Sequence, residues 1–107
     1  AFAVPVARKL PDGGVEGAVL HVDRFGNLIT SIRREELPRG GFTTEVAGRH
    51  IEGISRTYAD GSGLIVLVGS SGYLEVALSG GSAAAATGLG VGSPVRVIPH
   101  PKHRRPA

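Results

Sequence analysis

The chain has 107 residues, 41% of them hydrophobic and 20% charged, which suits one globular domain and argues against disorder away from the ends. Cysteine is absent, which excludes a disulfide framework and a thiolate metal centre. The formal charge is +3, but Lys102, Arg104 and Arg105 crowd the last six residues, so the body is close to neutral and the basic balance describes a solvated tail rather than a nucleic-acid surface.

Taken in chain order, residues 1–13 form an extended lead-in whose charges follow its apolar residues, the reverse of a signal peptide. Short segments rich in β-branched residues then predict strands over residues 17–22, 28–32, 42–46, 50–54, 64–68, 73–78 and 94–98. Glycine-rich turns separate them, among them Pro38-Arg39-Gly40-Gly41, Ala47-Gly48 and Ser70-Ser71-Gly72. A weak helical turn is expected over residues 33–37. A firmer one is expected over residues 83–86, with Ser82 as its N-cap and Gly88 ending it in a left-handed conformation. The longest apolar run, residues 64–68, is far short of the ~20 residues a membrane span needs. Evenly spaced short strands with hardly any helix predict an all-β fold, a small closed or nearly closed β-barrel of about seven strands with one short helix and a single domain over residues 1–107. The lack of cysteine and of a membrane span fits a cytoplasmic protein.

The most informative run is VDRFGNLITSI, residues 22–32. Asp23, Phe25, Gly26 and Asn27 fall within five residues between two apolar segments. A hairpin turn needs the glycine and the asparagine, but not the acid and the ring. An acid and an amide beside a flat ring would suit a small ligand carrying an amine and a heterocycle. Gly69-Ser70-Ser71-Gly72 follows an apolar strand; its hydroxyls and amides could hold a carboxylate, or it is a plain hairpin turn. Tyr58 sits at a strand-to-loop junction, either as a stacking surface or as a core ring. Glu75 alternates with Leu74, Val76 and Leu78 and is expected to face outward. The run from Gly88 to Gly92 has the glycines of a dinucleotide fingerprint, but it follows a helix and opens a strand, the reverse of that motif. His21, His50, His100 and His103 show no converging set, so no metal site is expected.

Three blocks in order resemble one known family: GAVLHVDRFGNLITSI at residues 17–32, TYAD at 57–60 and GSSGYLEVALSGGSAA at 69–84. They are similar to the C-terminal domain of S-adenosylmethionine hydroxide adenosyltransferases, hydrolases related to the fluorinase and the chlorinase, and GLGVGSPVRV at 88–97 fits as well. The resemblance implies a barrel that sits behind an N-terminal α/β domain absent from this chain, in a homotrimer. Each active site then lies between the N-terminal domain of one subunit and the C-terminal domain of its neighbour. It implies S-adenosylmethionine as substrate, with no cofactor, and adenosine and L-methionine as products of an attack by water at the ribose C5′. The water-activating residues belong to the N-terminal domain, so no catalytic residue is expected here and the domain alone should be inactive.

Carried over by position, the resemblance implies that Asp23 holds the methionine amino group, and that Phe25 and Tyr58 flank the adenine. It puts Asn27 at the adenine edge, Ser70 and Ser71 by the methionine carboxylate, and Ser79 and Gly80 against the adenine. Gly69, Ser31 and Ser79 depart from the asparagine common at those positions. Ser71 stands where the halogenating relatives carry arginine, so halide use is not implied. The residues alone leave two rivals open: a stand-alone nucleic-acid-binding barrel and a structural trimerisation module.

Overall fold

In the computed structural model, residues 6–54 and 63–101 are described. The strands are β1 (Arg8–Lys9), β2 (Val15–Val22), β3 (Leu28–Arg33), β4 (Phe42–Val46), β5 (Arg49–Glu52), β6 (Leu64–Val68), β7 (Tyr73–Leu78) and β8 (Pro94–Pro99). A 3₁₀ turn spans Arg34–Glu36, and a short α-helix, α1, the only one among the described residues, spans Ala83–Thr87. The seven main strands pair antiparallel in the order β5-β4-β8-β2-β3-β7-β6, with β1 added alongside β2. β5 and β6, the two ends of that order, approach each other, so the sheet curls into one nearly closed barrel.

Alternation fills the barrel. In β4 Phe42, Thr44 and Val46 are buried while Thr43 and Glu45 are not, and in β8 Val95 and Val97 point in while Pro94 and Arg96 point out. Val15, Val19, Leu28, Ile32, Leu74 and Val76 complete most of the core, and Ala83 of α1 packs against it. Each fully buried Leu or Val contributes roughly 1.5–3 kcal/mol relative to exposure.

β2 is the hinge of the barrel. Its first half pairs with β8 (Val15↔Val97 to Ala18↔Pro94), and its second half with β3 (Val19↔Thr30 to Val22↔Leu28), with a register shift between Val19 and His21. β3 is irregular too: its pairing with β7 jumps from Ile29↔Glu75 to Arg33↔Tyr73. Hydroxyls repair the interrupted ladder. Thr30 Oγ1 donates to the Leu74 carbonyl at 2.8 Å and accepts from Ile32 N at 3.1 Å, while Ser31 Oγ accepts from Ala18 N at 3.1 Å. Gly17 is needed here, because a Cβ on it would lie 2.7 Å from both Ser31 Oγ and Ile32 Cγ1.

The sequence-based strands hold to within a few residues, and two of the differences have a local cause. β5 ends at Glu52, not at residue 54, because Gly53 turns left-handed (φ 56°) and donates its amide to the Phe42 carbonyl. β1 was not expected; Pro11-Asp12-Gly13-Gly14 folds it back onto β2, with Asp12 Oδ1 accepting from Gly14 N at 2.8 Å. The helix runs one residue longer than expected. Its caps are the expected ones, Ser82 Oγ accepting from Ala85 N and Gly88 left-handed at φ 74°.

Thr44 carries a cost. Its side chain is fully buried and, among the described residues, Oγ1 has no hydrogen-bond partner. An unsatisfied buried hydroxyl costs about 1–3 kcal/mol. Thr44→Val keeps the shape and removes that cost, so thermal or urea unfolding should show the variant about 1 kcal/mol more stable than the wild type.

Candidate functional site

The loop between β2 and β3 is organised by one carboxylate. Asp23 Oδ1 accepts from Phe25 N and from Asn27 N, both at 2.9 Å, and Oδ2 accepts from the Asn27 carboxamide at 3.0 Å. Backbone bonds from Asp23 N to the Asn27 carbonyl (3.1 Å) and from Gly26 N to the Asp23 carbonyl (2.9 Å) close the turn. Partial burial pushes the Asp23 carboxyl up, but the amides of Asn27 and Phe25 and the Asn27 carboxamide together outweigh it and hold its pKa below the usual value. The acid therefore stays ionised and its loop stays shaped.

Gly26 joins this loop to the helix. It is buried with φ 84°, and a Cβ on it would sit 1.9 Å from Ser82 Oγ and 2.9 Å from Ser82 Cα. Its carbonyl accepts from Ala84 N at 2.9 Å, in the first turn of α1. Only glycine permits both the left-handed backbone and that closeness. Because α1 begins just after Ser79–Gly81, docking the loop on the helix brings Phe25 and Asn27 to the end of β7.

The result is a shallow cleft of about 350 Å³, lined by Phe25, Asn27, Leu78, Ser79, Gly80 and Gly81. Phe25 is 65% exposed, far more than a core ring tolerates, and the Arg24 guanidinium lies 5.1 Å from its centroid. A flat ring standing in solvent beside a carboxamide and a glycine-rich strand end is an arrangement suited to a planar, hydrogen-bonding ligand.

The structure thus brings together four of the expected residues, Phe25, Asn27, Ser79 and Gly80, with Asp23 behind them as the loop's anchor. It does not put Ser70 and Ser71 in that cleft. They are exposed at the tip of the β6–β7 hairpin, where Gly72 N donates to the Gly69 carbonyl and the Gly72 carbonyl accepts from Arg34 N. That turn leaves β7 at the Tyr73 level, whereas the Asp23 loop sits at the Val76 level, about 10 Å of strand away. Between them lies Glu75, outward as expected, with its carboxylate over Gly69. Burial raises the Glu75 pKa, and the negative charge of Asp23 raises it further. The two loops therefore flank one stretch of the outer face of β7. Tyr58 and the rest of the block at 57–60 lie outside the described residues.

Sequence reasoning missed Leu78, Gly81 and the docking of Gly26 on Ser82. The adjacent glycines at 80 and 81 were the available signal. Among the described residues no group of three or more His, Asp or Glu is placed to hold a metal. His100, with no acid near it in sequence, meets Glu52 at 2.8 Å and Thr43 at 3.1 Å, and His50 meets Glu45 at 3.1 Å. A wider groove of about 710 Å³ opens elsewhere, beside β1, β2 and β8, but its charges answer one another. Glu16 bonds Arg8 and Arg96 at 2.9 Å each, and these bonds, Arg96 first, lower its pKa.

The fold and the cleft define a small antiparallel barrel with a ring-and-amide site at one end. The family model of the SAM hydroxide adenosyltransferase C-terminal domain matches residues 17–96, and the chain belongs to that family. It is similar to a protein of Thermus thermophilus named (R)-S-adenosyl-L-methionine hydrolase, 46% identical over 87 residues, covering 79% of this chain and 32% of that protein. A protein of the same name from Methanocaldococcus jannaschii is 32% identical over 68 residues, covering 54% of this chain and 26% of that protein. The chain thus spans between about a quarter and a third of these relatives' length. Among solved structures, a conserved hypothetical protein of Thermus thermophilus superposes with a TM-score of 0.68 at 42% identity, covering 91% of this chain and 39% of that one. An uncharacterized conserved protein of Thermotoga maritima shares the fold, with a TM-score of 0.68 at 22% identity over 92% of this chain and 40% of that one. Among the described residues no helix is long and apolar enough to cross a membrane.

Two outcomes test the loop. Gly26→Ala should cost about 2–4 kcal/mol in urea unfolding, since it adds left-handed strain to a clash with Ser82. The folded Asp23 pKa lies below its unfolded value, so its contribution is complete above the unfolded value, about 4. It is lost as pH falls through the folded value. The stability gap between the wild type and Asp23→Asn should accordingly be present at neutral pH and close in strong acid.

Proposed function

We propose that this chain is the substrate-binding C-terminal domain of an S-adenosylmethionine hydrolase, with its end cleft taking the adenosine part of the substrate. The observation that carries this is the meeting of Phe25, Asn27, Ser79 and Gly80 in one cleft of a chain that belongs to the family. The names of the relatives from Thermus thermophilus and Methanocaldococcus jannaschii supply the substrate and the reaction class.

Adenine stacks on Phe25, a contact that contributes about 1–3 kcal/mol per base in comparable systems. The Asn27 carboxamide keeps one N–H for the Asp23 carboxylate and offers its oxygen to an exocyclic amine. Ser79 and Gly80 bring strand-end backbone against the base. The methionine part extends along the outer face of β7 toward Ser70 and Ser71, where hydroxyls and turn amides donate to a carboxylate. The family resemblance assigns Tyr58, outside the described residues, to the adenine as well. A nucleoside that carries an amino acid is long enough to use both loops, which is why their separation along β7 suits this ligand.

In the reaction, water attacks the ribose C5′, the C5′–S bond breaks with its electron pair passing to sulfur, and adenosine, L-methionine and a proton are released. This chain binds and orients; the groups that take the proton from water belong to an N-terminal domain, contributed by a neighbouring subunit of a trimer. The domain alone binds without turnover.

Isothermal titration of adenosine into the protein assembled with its N-terminal domain tests the cleft. Phe25→Ala should weaken binding by about 5- to 150-fold, and Asn27→Ala should weaken it by about tenfold. Unchanged affinity in both variants would exclude the cleft as the adenine site.

A further inference from the structure

We infer that Arg24 is a positioning residue for the base: its guanidinium takes one face of the Phe25 ring, steadies the ring beside the cleft and leaves the opposite face for adenine. This rests on the proposed function and gives a role to a residue that lines no part of the cleft.

Phe25 by itself is a poor platform. Its ring is 65% exposed, and the bonds that shape its loop fix only the backbone around it. The Phe25 amide donates to Asp23 Oδ1, and the Gly26 carbonyl accepts from Ala84 N, but neither contact reaches the ring. An exposed side chain hops between rotamers, and a base that stacks on it must stop that motion at a cost in affinity. The Arg24 guanidinium is set over this ring, with Cζ 5.1 Å from the centroid.

The second observation is that no acid draws Arg24 elsewhere. Among the described residues it forms no ion pair, whereas Arg8 and Arg96 each meet Glu16 at 2.9 Å. The acid next to it in sequence, Asp23, is engaged by three N–H donors of the loop, at 2.9, 2.9 and 3.0 Å. The face of an aromatic ring is electron-rich, and a planar, weakly hydrated guanidinium lies on it while its N–H edge stays in water.

Phe25 lines the cleft and Arg24 does not, so the guanidinium stands on the side of the ring turned away from it. A base entering the cleft therefore stacks on the open face and makes the ring the middle layer of three. Covering that face removes water from the ring and from part of the guanidinium. A cation–π pair is worth about 2- to 5-fold at an exposed site and about 30-fold once desolvated. The gain arises on binding, so Arg24 acts through Phe25 without touching the ligand.

A double-mutant cycle tests this, read by isothermal titration of adenosine into the protein assembled with its N-terminal domain. Arg24→Ala should weaken adenosine by about 3- to 10-fold, and Arg24→Lys, which keeps the charge, should lose less. In a Phe25→Leu background, which lacks the ring, adding Arg24→Ala should change affinity by less than about twofold, because the group it acts through is gone. A general structural role for Arg24, or a direct contact with the ligand, would instead cost the same in both backgrounds, and that result would overturn the inference. Wild-type affinity in Arg24→Ala would overturn it too, as would equal losses in Arg24→Ala and Arg24→Lys. If Phe25→Leu alone leaves adenosine binding unchanged, or the wild type binds no adenosine, the proposed function falls first, and the role of Arg24 with it.

Discussion

The site depends on the Asp23 carboxylate holding its own loop. Five residues must leave β2, reverse and enter β3, and two of the amides they expose, those of Phe25 and Asn27, point at one oxygen. With those donors satisfied, Gly26 can turn left-handed, bury itself and offer its carbonyl to the first turn of α1. The ring and the carboxamide are then left outside, aimed at the end of β7. A charged acceptor of backbone N–H groups is a strong organiser because each charge-assisted bond is about twice as strong as a neutral one. One acid thus fixes the loop wall of the cleft, which explains its place beside the aromatic and the amide.

Two faces of the same strands are put to different uses. Inward, β3 and β7 supply Leu28, Ile32, Leu74 and Val76 to the core. Outward, the same two strands carry the loop, the hairpin and Glu75. The bulges in β2 and β3 are where these demands meet, since Thr30 and Ser31 replace lost ladder bonds with hydroxyl bonds inside a buried region. The charged groove by β1 shows the opposite logic. Its acid and two arginines neutralise each other, whereas among the described residues neither Asp23 nor Glu75 forms an ion pair.

Much of the barrel was legible in the sequence because its signals are local. Strict alternation in Phe42–Val46, glycine at the reversals and Ser82 before a run of alanines each specify their own element. The short Arg8–Lys9 strand was signalled only by Pro11-Asp12-Gly13, because two exposed residues carry no hydrophobic period of their own. The grouping of Phe25 and Asn27 with Ser79 and Gly80 was legible only through family resemblance. It depends on Gly26 fitting against Ser82, a contact between residues far apart in sequence. Glu75 was legible as outward-facing, but its meeting with Gly69 follows from the hairpin register. The placement of Ser70 and Ser71 away from the cleft follows from that register as well, and spacing along the chain carries no such information.

The most direct measurement is a crystal structure of the protein, assembled with its N-terminal domain, grown with adenosine and L-methionine. The account predicts the base against the Phe25 ring with its edge at Asn27, Ser79 and Gly80, and the amino acid on the outer face of β7 beside Glu75 and the double-serine turn. Adenosine bound in the groove beside Arg8, Glu16 and Arg96, with the Phe25 ring left bare, would contradict it.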